Sequence, residues 1–185
     1  YQEKKPKRKK FYSLKTKSVG ESYQSKLNKI LKILKSKKAD YLFVSAPENV
    51  AWLMNIRGYD NPNSPIPNCR LLVGKKKEIF LIAEEKISLN LVREKKLKKN
   101  QVINPKKFQN LIKGLDGGKI IIDELSCSIL NQNIIKSNFK IVKEIDPCYR
   151  LKAIKNPIEI RNTVNAHIED GLALTKFIHW IKNVN

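Results

Sequence analysis

The three cysteines, Cys69, Cys127 and Cys148, stand far apart with no C-x-x-C pair among them. An odd, scattered set excludes a disulfide framework and a structural zinc site of the usual spacing, and it suits a reducing compartment. No apolar run approaches the roughly 20 residues that a membrane-crossing helix requires, so none is expected. The first residue is Tyr1, and the basic stretch "KKPKRKK" is not followed by the apolar run and small-residue cleavage site of a secretory signal. The chain therefore reads as part of a longer cytoplasmic polypeptide. Phosphate-cradling glycine loops are missing too, since "LDGGK" lacks the spacing and the hydroxyl of a Walker loop. "DELSCS" offers a serine and a cysteine without the glycines of a nucleophile elbow, so no nucleophile signature is present.

Acidic residues are also scarce: 17 Asp and Glu face 38 Lys and Arg, for a formal net charge of +21. Such an excess can neutralise phosphates. Yet 32 of the basic residues are Lys and only 6 are Arg, whereas proteins that read nucleic acid use Arg for bidentate contacts and interleave aromatics for stacking. The clusters "KSKK", "GKKK" and "EKKLKK" sit beside turns or on solvated faces, in a chain also heavy in Ile and Asn. We read the charge as mainly compositional, with a basic binding module for nucleic acid or acidic surfaces as the alternative.

At 185 residues the chain can build one well-cored domain with a piece of another. Residues 1–18, with eight basic residues, read as a linker from a preceding domain. Ser22 can cap a helix whose Leu27, Ile30, Leu31 and Leu34 share a face, with lysines on the other. "DYLFVS" reads as a strand buried on both faces. Pro47 and Glu48 suit the first turn of a helix through "ENVAWLMN", and prolines at 62, 65 and 67 force a loop after it. "CRLLVG" and "EIFLIA" form a hairpin turning at Gly74. A helix around Ile87 to Leu97 follows, then a short "QVIN" strand. Pro105 opens and Gly114 closes another helix, "KIIID" is a buried strand, "SCSILNQNII" a helix and "FKIV" a strand. This alternation argues for an α/β fold, a mostly parallel mixed sheet carrying a hairpin, with helices on both faces. After a connector from Asp146, Pro157 opens one long helix with Ile160, Val164, Ile168, Leu174, Ile178 and Ile181 along one side. Its apolar face has too little partner left in the chain, so it reads as the opening of a further domain.

Two groups of side chains could carry chemistry. His167 and Asp170 are three apart on the long helix and share a face, a spacing open to a metal or an acid–base pair. His179 lies about 18 Å further along, too far for the same metal. The bland alternative is an ordinary hydrogen bond of His167 at a helix–domain junction. In "AWLMNIRGYDNPNSP", Arg57 and Asp60 are also three apart and can pair locally, and Arg57 presents a planar fork suited to a carboxylate. There the alternative is a rigid loop stapled by prolines and Asn side chains, with Trp52 buried beneath it.

Three stretches resemble one known family in its own order. "VGESYQSKL", "APENVAWLMNIRGYDNPNSP" and "LKAIKNPIEIRNTVNAHIEDGLAL" are similar to the middle domain of three-domain Xaa-Pro aminopeptidases and to the segment leading into their catalytic domain. One departure is at Pro47, Glu48 and Asn49, where family members commonly carry Asp-Glu. The resemblance implies a creatinase N-terminal-like α/β domain over residues 19–150, and over 151–185 a connector and the first helix of a catalytic domain. It implies a whole enzyme that releases the N-terminal residue from peptides with proline second. Such an enzyme uses two divalent ions, usually manganese, held by Asp, His and Glu ligands whose motifs are absent from this sequence. The chain alone is thus expected to be catalytically silent and to contain no metal site. Its implied partners are the N-terminal and catalytic domains of the same polypeptide, a second subunit in a homodimer, and the peptide substrate. Arg57 and Asp60 would border the substrate cleft, and His167 and Asp170 would mark the domain junction.

Overall fold

A computed structural model describes residues 10–84 and 87–184. In chain order the elements are β1 (Tyr12–Ser13), α1 (Thr16–Val19), α2 (Tyr23–Ser36), β2 (Tyr41–Val44), α3 (Pro47–Met54), β3 (Ile56–Arg57), β4 (Cys69–Gly74) and β5 (Ile79–Ala83). They continue with α4 (Leu89–Glu94), β6 (Val102–Ile103), α5 (Phe108–Lys113), β7 (Gly118–Ile122), α6 (Ile129–Lys136), β8 (Phe139–Lys143), α7 (Pro147–Ala153) and α8 (Pro157–Asn183). Six strands form one sheet in the order β6-β5-β4-β2-β7-β8. The β2–β7, β7–β8 and β5–β6 pairs are parallel, and the β4–β5 hairpin and β2–β4 pair are antiparallel. This is the mixed, mostly parallel sheet expected from the alternating pattern.

Every residue of β2 is buried, because alternate side chains enter two different cores. Leu42 and Val44 join Ile30 and Leu34 of α2, Val50 and Leu53 of α3, Leu91 of α4 and Cys148 of α7 on one face. Tyr41 and Phe43 join Phe108 and Ile112 of α5 and Ile135 of α6 on the other. Phe43 and Phe108 stack with ring centroids 5.2 Å apart. The caps follow the expected chemistry. The Ser22 hydroxyl accepts from the Ser25 N–H, and Asn156 caps α8 with a reciprocal bond from its own N–H to Glu159.

Two expectations change. Of the linker proposed over 1–18, residues 1–9 lie outside the described residues. The rest is built into the fold: Phe11 is 2% exposed within the core, β1 pairs antiparallel with β3, and α1 packs on α8. One large aromatic outweighs the basic composition around it, since burying Phe contributes about 2 kcal/mol. The connector after Asp146 is itself a helix, α7, with Pro147 at its first position and the Asp146 carboxylate accepting from the Cys148 N–H. All three cysteines are free and buried. Beyond its first turns α8 leaves the domain with its apolar side chains exposed, including Ile168, Phe177 and Trp180.

Candidate functional site: a groove at the base of the long helix

Helix α3 ends on Asn55, whose left-handed backbone (φ 50°) turns the chain sharply into β3. That turn places Arg57 in the wall of a groove of about 510 Å³. Glu48, Ala51 and Trp52 of α3 form the adjoining wall, Pro65 and Ile66 one rim, and Lys152, Lys155 and Glu159 the side nearest α8. Arg57 donates from Nη1 to the carbonyls of Ala51 (3.2 Å) and Ile56 (2.9 Å), so part of its fork closes the end of α3. Half-buried, its guanidinium has its pKa lowered by desolvation. Asp60 is engaged separately, its carboxylate accepting from the Asn68 N–H at 2.6 Å. Gly58 N–H donates to the Pro65 carbonyl at 3.0 Å, and Asn63 N–H to the Asn61 side chain at 3.3 Å, so the loop is braced from within. A Cβ on Gly58 would fall 2.7 Å from the Pro67 Cα, which is why the bend requires glycine. Trp52, expected beneath the loop, is only half-buried.

The structure therefore brings Arg57 to the groove and uses Asp60 to close the loop. His167 and Asp170 stand on the exposed surface of α8, outside the groove wall.

The residues that hold this wall were not legible as such. Lys26, which the helical pattern assigns with other lysines to the solvated face of α2, is 1% exposed. Its ammonium donates to the Asn55 side chain at 2.7 Å and to the Trp52 carbonyl at 2.9 Å, and it lies 4.3 Å from the centroid of the Trp52 ring. Burial pulls its pKa down to about 8. Lys95 donates to the Asn55 carbonyl at 3.3 Å, and the Asn55 amide donates to the Glu21 carbonyl at 2.8 Å. Position 26 lies three residues after Tyr23 and four before Ile30, inside the apolar stripe, and that spacing was the available signal.

A second buried network ties α3 to α7. Asn49 is fully buried; its amide donates to Asp146 at 2.8 Å and its oxygen accepts from Lys152 at 2.7 Å. Burial raises the pKa of Asp146 despite these bonds. The Tyr149 hydroxyl donates to Glu48 at 3.0 Å, and burial together with that carboxylate raises its pKa to about 12.

The described residues do not fit a metal centre, because no three His, Cys, Asp or Glu side chains among them are grouped to hold an ion. Nor is any described helix long and apolar enough to cross a membrane. The groove can bind and orient a ligand through cations and a carboxylate on an apolar base.

The sequence profile of the creatinase/prolidase N-terminal domain matches residues 2–159. Xaa-Pro aminopeptidase 1 of Dictyostelium discoideum is 33% identical over 176 residues, which cover 92% of this chain and 27% of the relative. Xaa-Pro aminopeptidase ApepP of Drosophila melanogaster is 30% identical over 182 residues, covering 94% and 29%. The chain thus spans under a third of the length of these relatives. Among solved structures, an X-prolyl aminopeptidase from Caenorhabditis elegans, described as a cytosolic enzyme with a di-nuclear active site, superposes with a TM-score of 0.80 at 21% identity, over 94% of this chain and 29% of that one. A proline dipeptidase from Streptococcus pneumoniae gives 0.51 at 20% identity, over 70% and 98%. These structural likenesses establish the fold.

Proposed function

The chain belongs to the creatinase/prolidase N-terminal domain family, and from that premise we propose that it is the non-catalytic middle domain of a Xaa-Pro aminopeptidase. The parent enzyme would release the N-terminal residue from peptides with proline second. One observation carries this reading: identity of 33% runs across 92% of the chain while accounting for 27% of the relative, as expected of one domain of a larger peptidase.

In this reading the work of the domain is positional. The α3–β3 turn and the Asn49–Asp146–Lys152 network fix the groove at the base of α8, and the segment from residue 151 onward, with α8 as its helix, would lead into the catalytic domain. Two divalent ions, which we take to be manganese, would be held by residues outside those described here. Arg57 would border the substrate cleft, with Asp60 keeping its loop closed. His167 and Asp170, exposed on α8, would meet the rest of the polypeptide, and the assembled enzyme would be a cytoplasmic homodimer.

Two measurements test the proposal. The purified chain in saturating Mn²⁺ should not cleave a Xaa-Pro peptide, and measurable turnover would overturn its non-catalytic assignment. In full-length protein, Arg57→Ala should lower kcat/KM at a temperature where the variant remains fully folded, the lost bonds to the Ala51 and Ile56 carbonyls lowering the unfolding midpoint by no more than a few degrees. Unchanged kinetics would reduce Arg57 to a loop brace.

A further inference from the structure

A second groove lies elsewhere, at the end of the domain where α2 meets the β4–β5 turn, with a volume of about 740 Å³. That is within the size range of clefts that hold small ligands. Its base is apolar, with Leu31 at the surface and buried Leu34 and Ala39 beneath it, and its walls carry Lys32, Lys35 and Lys38 from α2 and its end and Lys75 and Lys77 from the turn. Asp40 is the single acid of the lining. It is already engaged by the Lys75 ammonium and by the Lys119 N–H.

The distribution of acid partners separates this face from the rest of α2. Lys29 and Lys37, which point elsewhere, are paired with Glu21 and Glu144. Lys32, Lys35, Lys38 and Lys77 have no acid within ion-pair distance among the described residues. Four uncompensated charges therefore surround one apolar floor. Self-repulsion of this kind is relieved by an anionic ligand.

The lining favours one class of ligand. It contains no arginine and no aromatic side chain, so it lacks the planar forks and stacking surfaces with which proteins hold nucleic acids. An apolar floor beneath lysines instead matches a segment that is acidic on its flanks and apolar on one face. We propose that this groove docks an acidic amphipathic peptide segment of a partner protein, its carboxylates meeting Lys32, Lys35, Lys38 and Lys77 and its apolar side chains lying on Leu31 and the methylene stems of the flanking lysines. The site is distinct from the Arg57 groove and does not depend on the peptidase reading.

The test uses the chain itself and a fluorescein-labelled helical peptide of about 14 residues, four turns, with Leu on one face and Glu on the others. Fluorescence anisotropy would be compared for wild type, for Lys32→Glu, Lys35→Glu and Lys77→Glu combined, for the same three positions changed to Gln, and for a control with Lys113→Glu, Lys136→Glu and Lys140→Glu. All these side chains are exposed, so unfolding midpoints should be unchanged. Affinity should fall by about tenfold or more in both groove variants, with the Glu set weaker than the Gln set, and by much less in the control. Equal losses in groove and control variants would reduce the effect to net charge and overturn the site. So would an absence of wild-type binding. Tighter, groove-dependent binding of an oligothymidine or of phosphatidylserine vesicles would overturn the assignment of a peptide ligand.

Discussion

Replacing Lys26 with methionine tests the energetics of the α2–α3 interface, because the side chain keeps its unbranched stem and loses the charged terminal atom. Two effects oppose each other. Wild-type Lys26 is 1% exposed and its pKa is drawn from 10.5 to about 8 by burial. At about 1.36 kcal/mol per pKa unit, holding the proton at neutral pH costs the fold roughly 3 kcal/mol. The methionine variant is free of that cost. It instead strands the Asn55 side-chain oxygen, for about 1–3 kcal/mol, and loses the contact with the Trp52 ring, about 1 kcal/mol. The Trp52 carbonyl keeps the Asn55 N–H at 3.3 Å. Near pH 7 the terms nearly cancel, and the variant should lie within about 1 kcal/mol of wild type.

The sign of the pH dependence then distinguishes this account from simple loss of packing. Below the folded pKa of about 8, both folded and unfolded Lys26 are protonated and the cost is constant. Between about 8 and 10.5 the unfolded chain binds more protons than the native one, so stability rises with pH. By pH 10 wild type should have recovered roughly 2–3 kcal/mol that the variant cannot recover. Urea denaturation of both proteins at pH 7 and pH 10 reads the difference directly, and the other lysines and tyrosines cancel in it. A gap between the two proteins that stays constant from pH 7 to pH 10 would refute the buried, charged Lys26.

Two further substitutions probe the ends of α8 and α3. Gly20 sits at φ 75°, and a Cβ there would fall 2.2 Å from the Asn156 Oδ1 atom that caps α8. Gly20→Ala should therefore cost about 2–3 kcal/mol, from left-handed strain and a displaced cap. It should also speed amide exchange at Ile158 and Glu159 more than in β2, and uniform acceleration across the domain would contradict a local cap. Asn49→Asp should destabilise by a similar amount near neutral pH, because it sets a second carboxylate against Asp146 in a buried site. Sharing a proton raises the folded pKa of the pair, so the loss should shrink as pH falls through the carboxylate range; a pH-independent loss would show that the geometry, not the charge, was disturbed.

Much of the sheet was legible because each strand is flanked by its own punctuation. Pro47, Pro105 and Pro157 stand at helix starts, and Gly74 closes the hairpin at the position expected. What composition concealed is the role of individual residues set against their neighbourhood. Phe11 is one aromatic in a basic stretch, and it anchors β1 because the core on that side of the sheet has room for it. Lys26 is one of many lysines, and only its place between Tyr23 and Ile30 separates it from the solvated ones. Asn49 and Asp146 lie 97 residues apart, so no local pattern pairs them. Arg57 was visible as a carboxylate-type fork, but its two carbonyl acceptors are set by the end of α3 and not by its spacing to Asp60.

The departure from the family pattern at Glu48 and Asn49 has a physical reading in this geometry. Position 49 faces the buried Asp146 carboxylate and the Lys152 ammonium together. An amide serves both, donating from nitrogen to the carboxylate and accepting through oxygen from the ammonium, and it adds no charge to a site that already desolvates one. Glu48, one residue earlier, lies on the groove side, where it accepts from Tyr149 and keeps an acid beside Lys152 and Lys155. Acid and amide are thus divided between groove and interior. The other end of α3 also sets an amide inside and a charged group at the groove, where Asn55 takes the buried ammonium of Lys26 and Arg57 lines the groove. The polar interior of this domain is concentrated on fixing the two ends of α3, and those ends form the wall against which α8 leaves the fold.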